Sequence, residues 1–176
     1  SAMDKFESLP IITIFILPYY CLFHSQSILP YNTNRPMPKT PFFSIIIPTL
    51  NEEKYLPHLL QDLSEQSFDL DQLEVIHVDG SSDDKTVAVA KEFGKKINLK
   101  SIVIKQRNVA TQRNTGSKKA KGEWIIFMDA DNRLPSHFLD GIKYQLAKHP
   151  QYQVFTSLIK VDSSNQADKA IETAFN

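Results

Sequence analysis

From Phe42 onward the chain alternates between short apolar runs and longer amphipathic stretches. "FFSIIIPT" (42–49) is a continuous apolar run with β-branched residues, which predicts a strand buried on both faces. In "NEEKYLPHLLQDLSEQS" (51–67), Leu56, Leu59, Leu60 and Leu63 fall on one helical face. Asn51 is the expected N-cap of that helix, with acidic residues in its first turn. "LEVIHVDG" (73–80) predicts a second buried strand, and "SSDDKTVAVAKEFGKK" (81–96) a helix opening on a Ser/Asp cap and stopping near Gly94. "KSIVIK" and "EWIIFMD" predict a third and a fourth strand, separated by a helix over "NVATQRNTGSKKAKG" (108–122). A helix over 135–149, a strand over 152–161 and a last helical stub complete the pattern. Strands alternating with helices imply βαβ units: an α/β fold with a mainly parallel sheet and helices on both faces.

Ligands of such sheets bind beyond the carboxyl ends of the strands. "PTLNEE", "DGSSDD" and "DAD" each follow a strand directly, so three polar clusters distant in sequence converge on one edge. Asn51, Ser82 and Asp79 each pass singly as turn residues; the coincidence of all three needs more than caps.

Residues 1–40 read differently and are expected to lie outside the core fold, leaving 41–176 as the domain. They hold a "SAM" tag scar, the apolar arm "LPIITIFILPYYCLF" (9–23) and a Pro-rich linker. The arm has 15 residues and is broken by Pro18, whereas a spanning helix needs roughly 20. A membrane-dipping anchor, a strand or arm that packs on a partner, and upstream sequence before a natural start at Met37 stay open.

Composition is that of an ordinary globular domain, with 176 residues, 41% hydrophobic and 23% charged. A net charge of zero gives no field that would gather nucleic acid. The single Cys21 excludes an internal disulfide and a cysteine-based zinc site; it fits a cytoplasmic setting, with membrane association if the arm touches a bilayer.

The sharpest chemical feature is "WIIFMDADNRLP" (124–135), in which an apolar run ends in two aspartates one residue apart. Carboxylates this close to one another and to a dry strand repel. A calcium loop fails, because Leu134 stands where its sharp turn needs glycine. A phosphatase with an aspartyl nucleophile is disfavoured by Arg133 and by the motif's late position. A divalent ion held for a nucleotide diphosphate removes the repulsion, since Mg²⁺ or Mn²⁺ takes one or two carboxylates together with phosphate oxygens. Alternation puts Asp129 and Asp131 on one side and Ala130 on the other, where its small side chain leaves room for a ligand at the backbone. Nine Lys/Arg and no Asp/Glu lie between Phe93 and Gly122. Of these, Arg107 and Arg113, near the start of the third helix, are best placed for an anion. No aromatics interleave these charges as base stacking on a nucleic acid would require, and neither a G-x-G-x-x-G loop nor a P-loop occurs.

Taken in order, "SIIIPTLNEEKYL", "VIHVDGSSDDKT" and "RNTGSKKAKGEWIIFMDADNRLP" resemble the nucleotide-sugar-binding half of family 2 glycosyltransferases of the GT-A fold, a group that includes dolichol-phosphate-mannose synthases and bacterial polysaccharide transferases. The resemblance covers about residues 42–150. It implies a UDP- or GDP-sugar donor and Mn²⁺ or Mg²⁺, with a single displacement at the anomeric carbon, inverting as in most of the family. Pro48, Leu50 and Glu52 would line base and ribose, Asp79 would meet the base edge, and Arg113 would sit near the diphosphate. Asp129, beside Ala130, would bind ribose or the metal through water, and Asp131 would ligate the metal directly. Leu50 stands where the family often has tyrosine, which removes a stacking ring. His77, in an apolar strand, reads as a core histidine or one supporting the site from behind. The family's catalytic base lies well past the Asp-x-Asp; here Asp162 and Asp168 are the only aspartates after Asp140 and come too early. The expectation is therefore a chain with the donor half present and the acceptor half truncated, either an enzyme or a non-catalytic donor-binding fragment. Sheet surface left uncovered would favour a homo-oligomer, or be covered by the apolar arm within the chain or across a dimer.

Overall fold

The computed structural model describes residues 40–151 and the backbone of a short strand at 16–18. Its elements in chain order are β1 (Ile16–Pro18), β2 (Phe43–Thr49), α1 (Leu56–Ser64), β3 (Leu73–Asp79), α2 (Thr86–Phe93), β4 (Leu99–Val103), α3 (Val109–Ser117), β5 (Trp124–Phe127) and α4 (Phe138–Lys148). The sheet order is β1-β5-β2-β3-β4. Four of these strands run parallel, and β1 pairs antiparallel with β5.

Strand alternation sorts the core into two layers. Phe43, Ile45, Ile47, Val75 and Ile126 face the layer that receives α1, α2 and α4, while Ile46, Ile76, Val78 and Ile125 face the layer on the other side. There α3 lies so close that Gly116 packs directly against Ile46 and Val78. This division follows from handedness. The chain moves outward from β2 to β3 to β4 with α1 and α2 on one face, then crosses back to β5 on the far side of β2. A right-handed crossover in the reverse direction must use the opposite face. Strand order therefore reverses between β2 and β5, and the crevice beyond their carboxyl ends is the switch point where such sheets bind ligands.

Three expectations change. Asn51 does not cap the first helix, which begins only at Leu56, has Tyr55 at its N-cap position and carries no acidic residue in its first turn. Asn51 is instead in the left-handed region at φ 60°, with its backbone and side chain committed to the loop after β3. The second helix starts at Thr86 rather than at the Ser/Asp cluster, and stops as expected with Gly94 as its C-cap. Part of the N-terminal arm joins the core sheet: Ile16, Leu17 and Pro18 pair with Ile126, Ile125 and Trp124. Pro18 is tolerated because this is an edge strand.

Asn108 does cap the third helix, its side chain accepting from the Thr111 N–H at 2.9 Å. The remainder of the arm, the strand expected at 152–161, and Asp162 and Asp168 lie outside the described residues. No helix among the described residues is long and apolar enough to cross a membrane.

Candidate functional site

The three clusters converge at the carboxyl edge, tied together by backbone-to-side-chain hydrogen bonds. The loop after β2 is fastened to the loop after β3. Asn51 N–H donates to Ser82 Oγ (2.8 Å), Glu52 N–H to Thr86 Oγ1 (2.8 Å) and Glu53 N–H to Asp84 Oδ2 (3.1 Å). In return, Asp83 N–H donates to Asn51 Oδ1 (2.9 Å) and Lys85 N–H to Glu53 Oε2 (3.0 Å). These contacts outcompete helix capping and hold two non-glycine residues, Asn51 and Ser81, at positive φ. Backbone strain of this kind persists where the surroundings over-determine it.

Beyond β5, Asp129 and Asp131 are exposed while Ala130 is buried, as alternation predicts. Arg113, one turn into α3, donates from Nη2 to Asp129 Oδ1 at 2.8 Å. Its Nε is buried and has no hydrogen-bond partner among the described residues. The turn after Asp131 is pinned by Arg133, which grips Asp62 of α1 with Nε at 2.7 Å and Nη2 at 2.9 Å, while Leu134 N–H donates to the same carboxylate. Arg133 therefore anchors the motif from behind.

Electrostatics marks Glu52 as the meeting point. Its carboxyl is held above the ordinary carboxylate range by burial first, then by the negative charges of Asp131, Asp84 and Asp129. Charges from the other two clusters thus act on this one group of the first, at the β2–β5 switch point. No cluster of three or more His, Cys, Asp or Glu placed to hold a metal occurs among the described residues. The donor set fits an ion such as Mg²⁺ or Mn²⁺ that takes one or two protein carboxylates and draws further oxygens from phosphate and water. It does not fit a closed protein cage.

Several sequence assignments move. Asp79, expected at the base edge, is fully buried. Its Oδ1 accepts from Thr49 Oγ1 (3.0 Å) and Ser82 Oγ (2.5 Å), and its Oδ2 from Ser82 N–H (2.7 Å). It organises the loops instead of facing the crevice, because the inward strand register at position 79 turns it toward the α1/α2 layer. Ala130 packs its methyl group into the core, and Pro48 is buried in β2 opposite Val78. Leu50 and Glu52 remain partly exposed at the crevice. Arg107 folds back on the β3 loop, donating to Ser81 O (3.0 Å) and Asp83 Oδ2 (2.6 Å), so Arg113 is the arginine beside the aspartates. Sequence reasoning placed Ser82 and Asp84 in a turn cluster without assigning them a partner, and missed Thr49, Ser101 and the buried Gln112, whose Nε2 donates to Thr49 O at 2.5 Å. The available signal was polar residues at inward strand positions, at 49, 77, 79 and 101.

The sequence model of Glycosyl transferase family 2 matches residues 44–173, the segment that builds this edge. The chain belongs to glycosyl transferase family 2. Among its relatives, the poly(ribitol-phosphate) beta-N-acetylglucosaminyltransferase TarS of Staphylococcus aureus (strain Mu50 / ATCC 700699) is 37% identical over 109 residues, 61% of this chain and 19% of that protein. The 4,4'-diaponeurosporenoate glycosyltransferase of Staphylococcus haemolyticus is 31% identical over 171 residues, covering 89% of this chain and 42% of that protein. The crystal structure of S. aureus TarS 1–349 in complex with UDP superposes with a TM-score of 0.57 at 34% identity, over 61% of this chain and 32% of that one. The mannosyltransferase PcManGT from Pyrobaculum calidifontis, in complex with GDP-Man and Mn²⁺, gives 0.52 at 28% identity, over 66% of this chain and 35% of that one. The chain thus spans less than half the length of these family members. Its parallel sheet with helices on both faces is their GT-A fold.

Proposed function

We propose that this domain binds a nucleoside-diphosphate sugar, together with Mn²⁺ or Mg²⁺, in the crevice between β2 and β5, as the donor half of a sugar-transferring enzyme. The observation that carries this is the convergence of Glu52, Asp129 and Asp131 at the switch point, where Arg113 pairs with Asp129 alone and the negative charge still raises the Glu52 pKa. Asp131 would hold the ion with Asp129 beside it, and when bound the ion supplies charge neutralisation for a leaving diphosphate. Arg113, whose Nε lacks a partner among the described residues, would donate to a diphosphate oxygen. Glu52 and Leu50 would line ribose and base, Glu52 accepting from ribose hydroxyls. In the expected reaction an acceptor oxygen forms a bond to the anomeric carbon as the bond to the diphosphate breaks, with inversion. The TarS complex holds UDP and the mannosyltransferase complex GDP-Man; the higher identity to TarS favours uridine.

A second reading is a unit that binds donor and metal without completing transfer. Asp140, the one carboxylate after Asp131 among the described residues, accepts from Ser67 Oγ beyond the far end of α1 and is not a candidate base in either reading. Product formation with an acceptor panel separates the two readings.

Binding is tested by thermal melts with UDP and GDP, each with and without Mn²⁺, on the wild type and Asp131→Ala. Ligand at about 100 times its Kd adds roughly 2.7 kcal/mol, a rise of roughly 5 to 10 °C for a chain of this size. A metal-dependent rise that Asp131→Ala abolishes is expected. No shift with either nucleotide would sink the proposal.

A further inference from the structure

Inside the sheet, on the α1/α2 face, lies a chain of polar side chains that the nucleotide site does not itself use. Ser101 of β4 and His77 of β3 are register partners, with Ser101 Oγ 2.8 Å from His77 Nδ1. His77 Nε2 is 2.7 Å from Thr49 Oγ1, and Thr49 donates to Asp79 Oδ1 at 3.0 Å. Asp79 in turn holds Ser82 by hydroxyl and amide, and Ser82 Oγ receives the N–H of Asn51, which sits at φ 60°.

The protons along this chain are determined by its end. A carboxylate only accepts, so Thr49 spends its single hydroxyl proton on Asp79 and must accept from His77. His77 is then the Nε2–H tautomer, and its bare Nδ1 accepts from Ser101. Every link has a fixed direction, and the last one holds the loop that carries Leu50 and Glu52.

We propose that His77 is a positioning residue for the nucleotide-side loop. By donating to Thr49 it aims the threonine hydroxyl at Asp79, which fixes Ser82 and through it the left-handed turn at Asn51. The inference rests on the proposed donor site for its functional consequence, while its structural consequence is independent of any ligand. His77 touches no substrate. It differs from an ordinary core residue because the direction of one N–H, and not the volume of the ring, does the positioning.

Two near-isosteres separate those roles. Gln extends an amide to where Nε2 stands, facing Thr49; Asn places one where Nδ1 stands, facing Ser101. The full chain is compared as wild type, His77→Gln, His77→Asn and Thr49→Val, the last removing the hydroxyl that transmits the link. The first readout is backbone hydrogen exchange over residues 50–53 and 81–86 without ligand. The second is UDP and GDP affinity with Mn²⁺.

His77→Gln should keep wild-type protection of both loops and affinity within about threefold, whereas His77→Asn and Thr49→Val should expose the loops and weaken the nucleotide about tenfold, the loss of one such hydrogen bond. Equal loop exchange in the Gln and Asn variants would overturn the proposal, as would protected loops in Thr49→Val. Failure of the wild type to bind either nucleotide would strike the donor site alone, since loop exchange still decides the role of His77.

Discussion

Acidifying the solution from about pH 7.5 to about pH 5 should unfold this domain partly through His77, by an amount that can be worked out. The side chain is fully buried. Burial lowers its pKa from 6.5 to about 4, against a smaller upward pull from the Asp79 carboxylate. As pH falls through 6.5 the unfolded chain takes up a proton, while the folded chain does not until about 4. In that window the unfolded state binds more protons, so stability falls as pH falls; it is fully present above the unfolded pKa. At 1.36 kcal/mol per unit, the loss is about 2 kcal/mol by pH 5 and about 3 kcal/mol below pH 4.

The assay is urea unfolding of the wild type and His77→Gln at both pH values. Carboxylates titrate in both proteins and cancel in the difference, and glutamine has no proton to take up. The variant's absolute stability is immaterial; its pH dependence should be flatter by about 2 kcal/mol. Parallel losses in the two proteins would refute the placement of a neutral, buried imidazole in this sheet.

Other predictions follow from the same geometry. The Glu52 pKa is raised, so its contribution to stability is present below the ordinary carboxylate pKa and lost as pH rises through the folded value. Glu52→Gln should therefore raise the melting temperature at neutral pH, with the gain vanishing near pH 4 and shrinking in Mn²⁺, while weakening nucleotide binding; an unchanged melt at neutral pH would contradict the electrostatic convergence. Gly122→Ala and Gly116→Ala should both destabilise, in that order of severity by denaturant midpoint. A Cβ at 122 would sit 2.6 Å from the backbone nitrogen of Ser44, which cannot yield, whereas one at 116 would sit 2.5 Å from Ile46 Cγ2. Overpacking of the latter kind costs about 1–3 kcal/mol, and the reverse order would show that the β2–β5 floor is softer than described. Asp131→Ala should abolish the metal-dependent nucleotide shift while leaving the apo melt near wild type, since the side chain is exposed.

How legible the molecule was depended on the range of the forces involved. Apolar runs of strand length and amphipathic runs of helix length located all four parallel strands and the helices between them, because burial and periodicity are local patterns. The Asp-x-Asp turn was equally plain, since repulsion between neighbouring carboxylates needs no tertiary information. Asn51 was misread because its capping chemistry is real but was claimed by Asp83 and Ser82, some thirty residues away in sequence. Asp79 was legible as a turn residue, and its Oδ2 does accept from the Ser82 N–H; its burial was not legible, because turn residues and buried carboxylates share an alphabet. Only the inward register, with Thr49 and Ser82 as donors, shows that its oxygens are already used.

The sequence by itself determined the fold class, the edge of the sheet on which polar chemistry gathers, and the family, through three ordered motifs. Only the tertiary structure decided which side chains reach the crevice. Strand order placed β5 beside β2 and made their junction the candidate site, parity turned Asp79 and Ala130 inward and left Asp129 and Asp131 exposed, and cross-loop hydrogen bonds shaped the Leu50–Glu52 turn. The physical reason is that hydrophobic patterning is written along the chain, whereas hydrogen-bond partners and charge neighbours are chosen by whichever strands come to lie side by side.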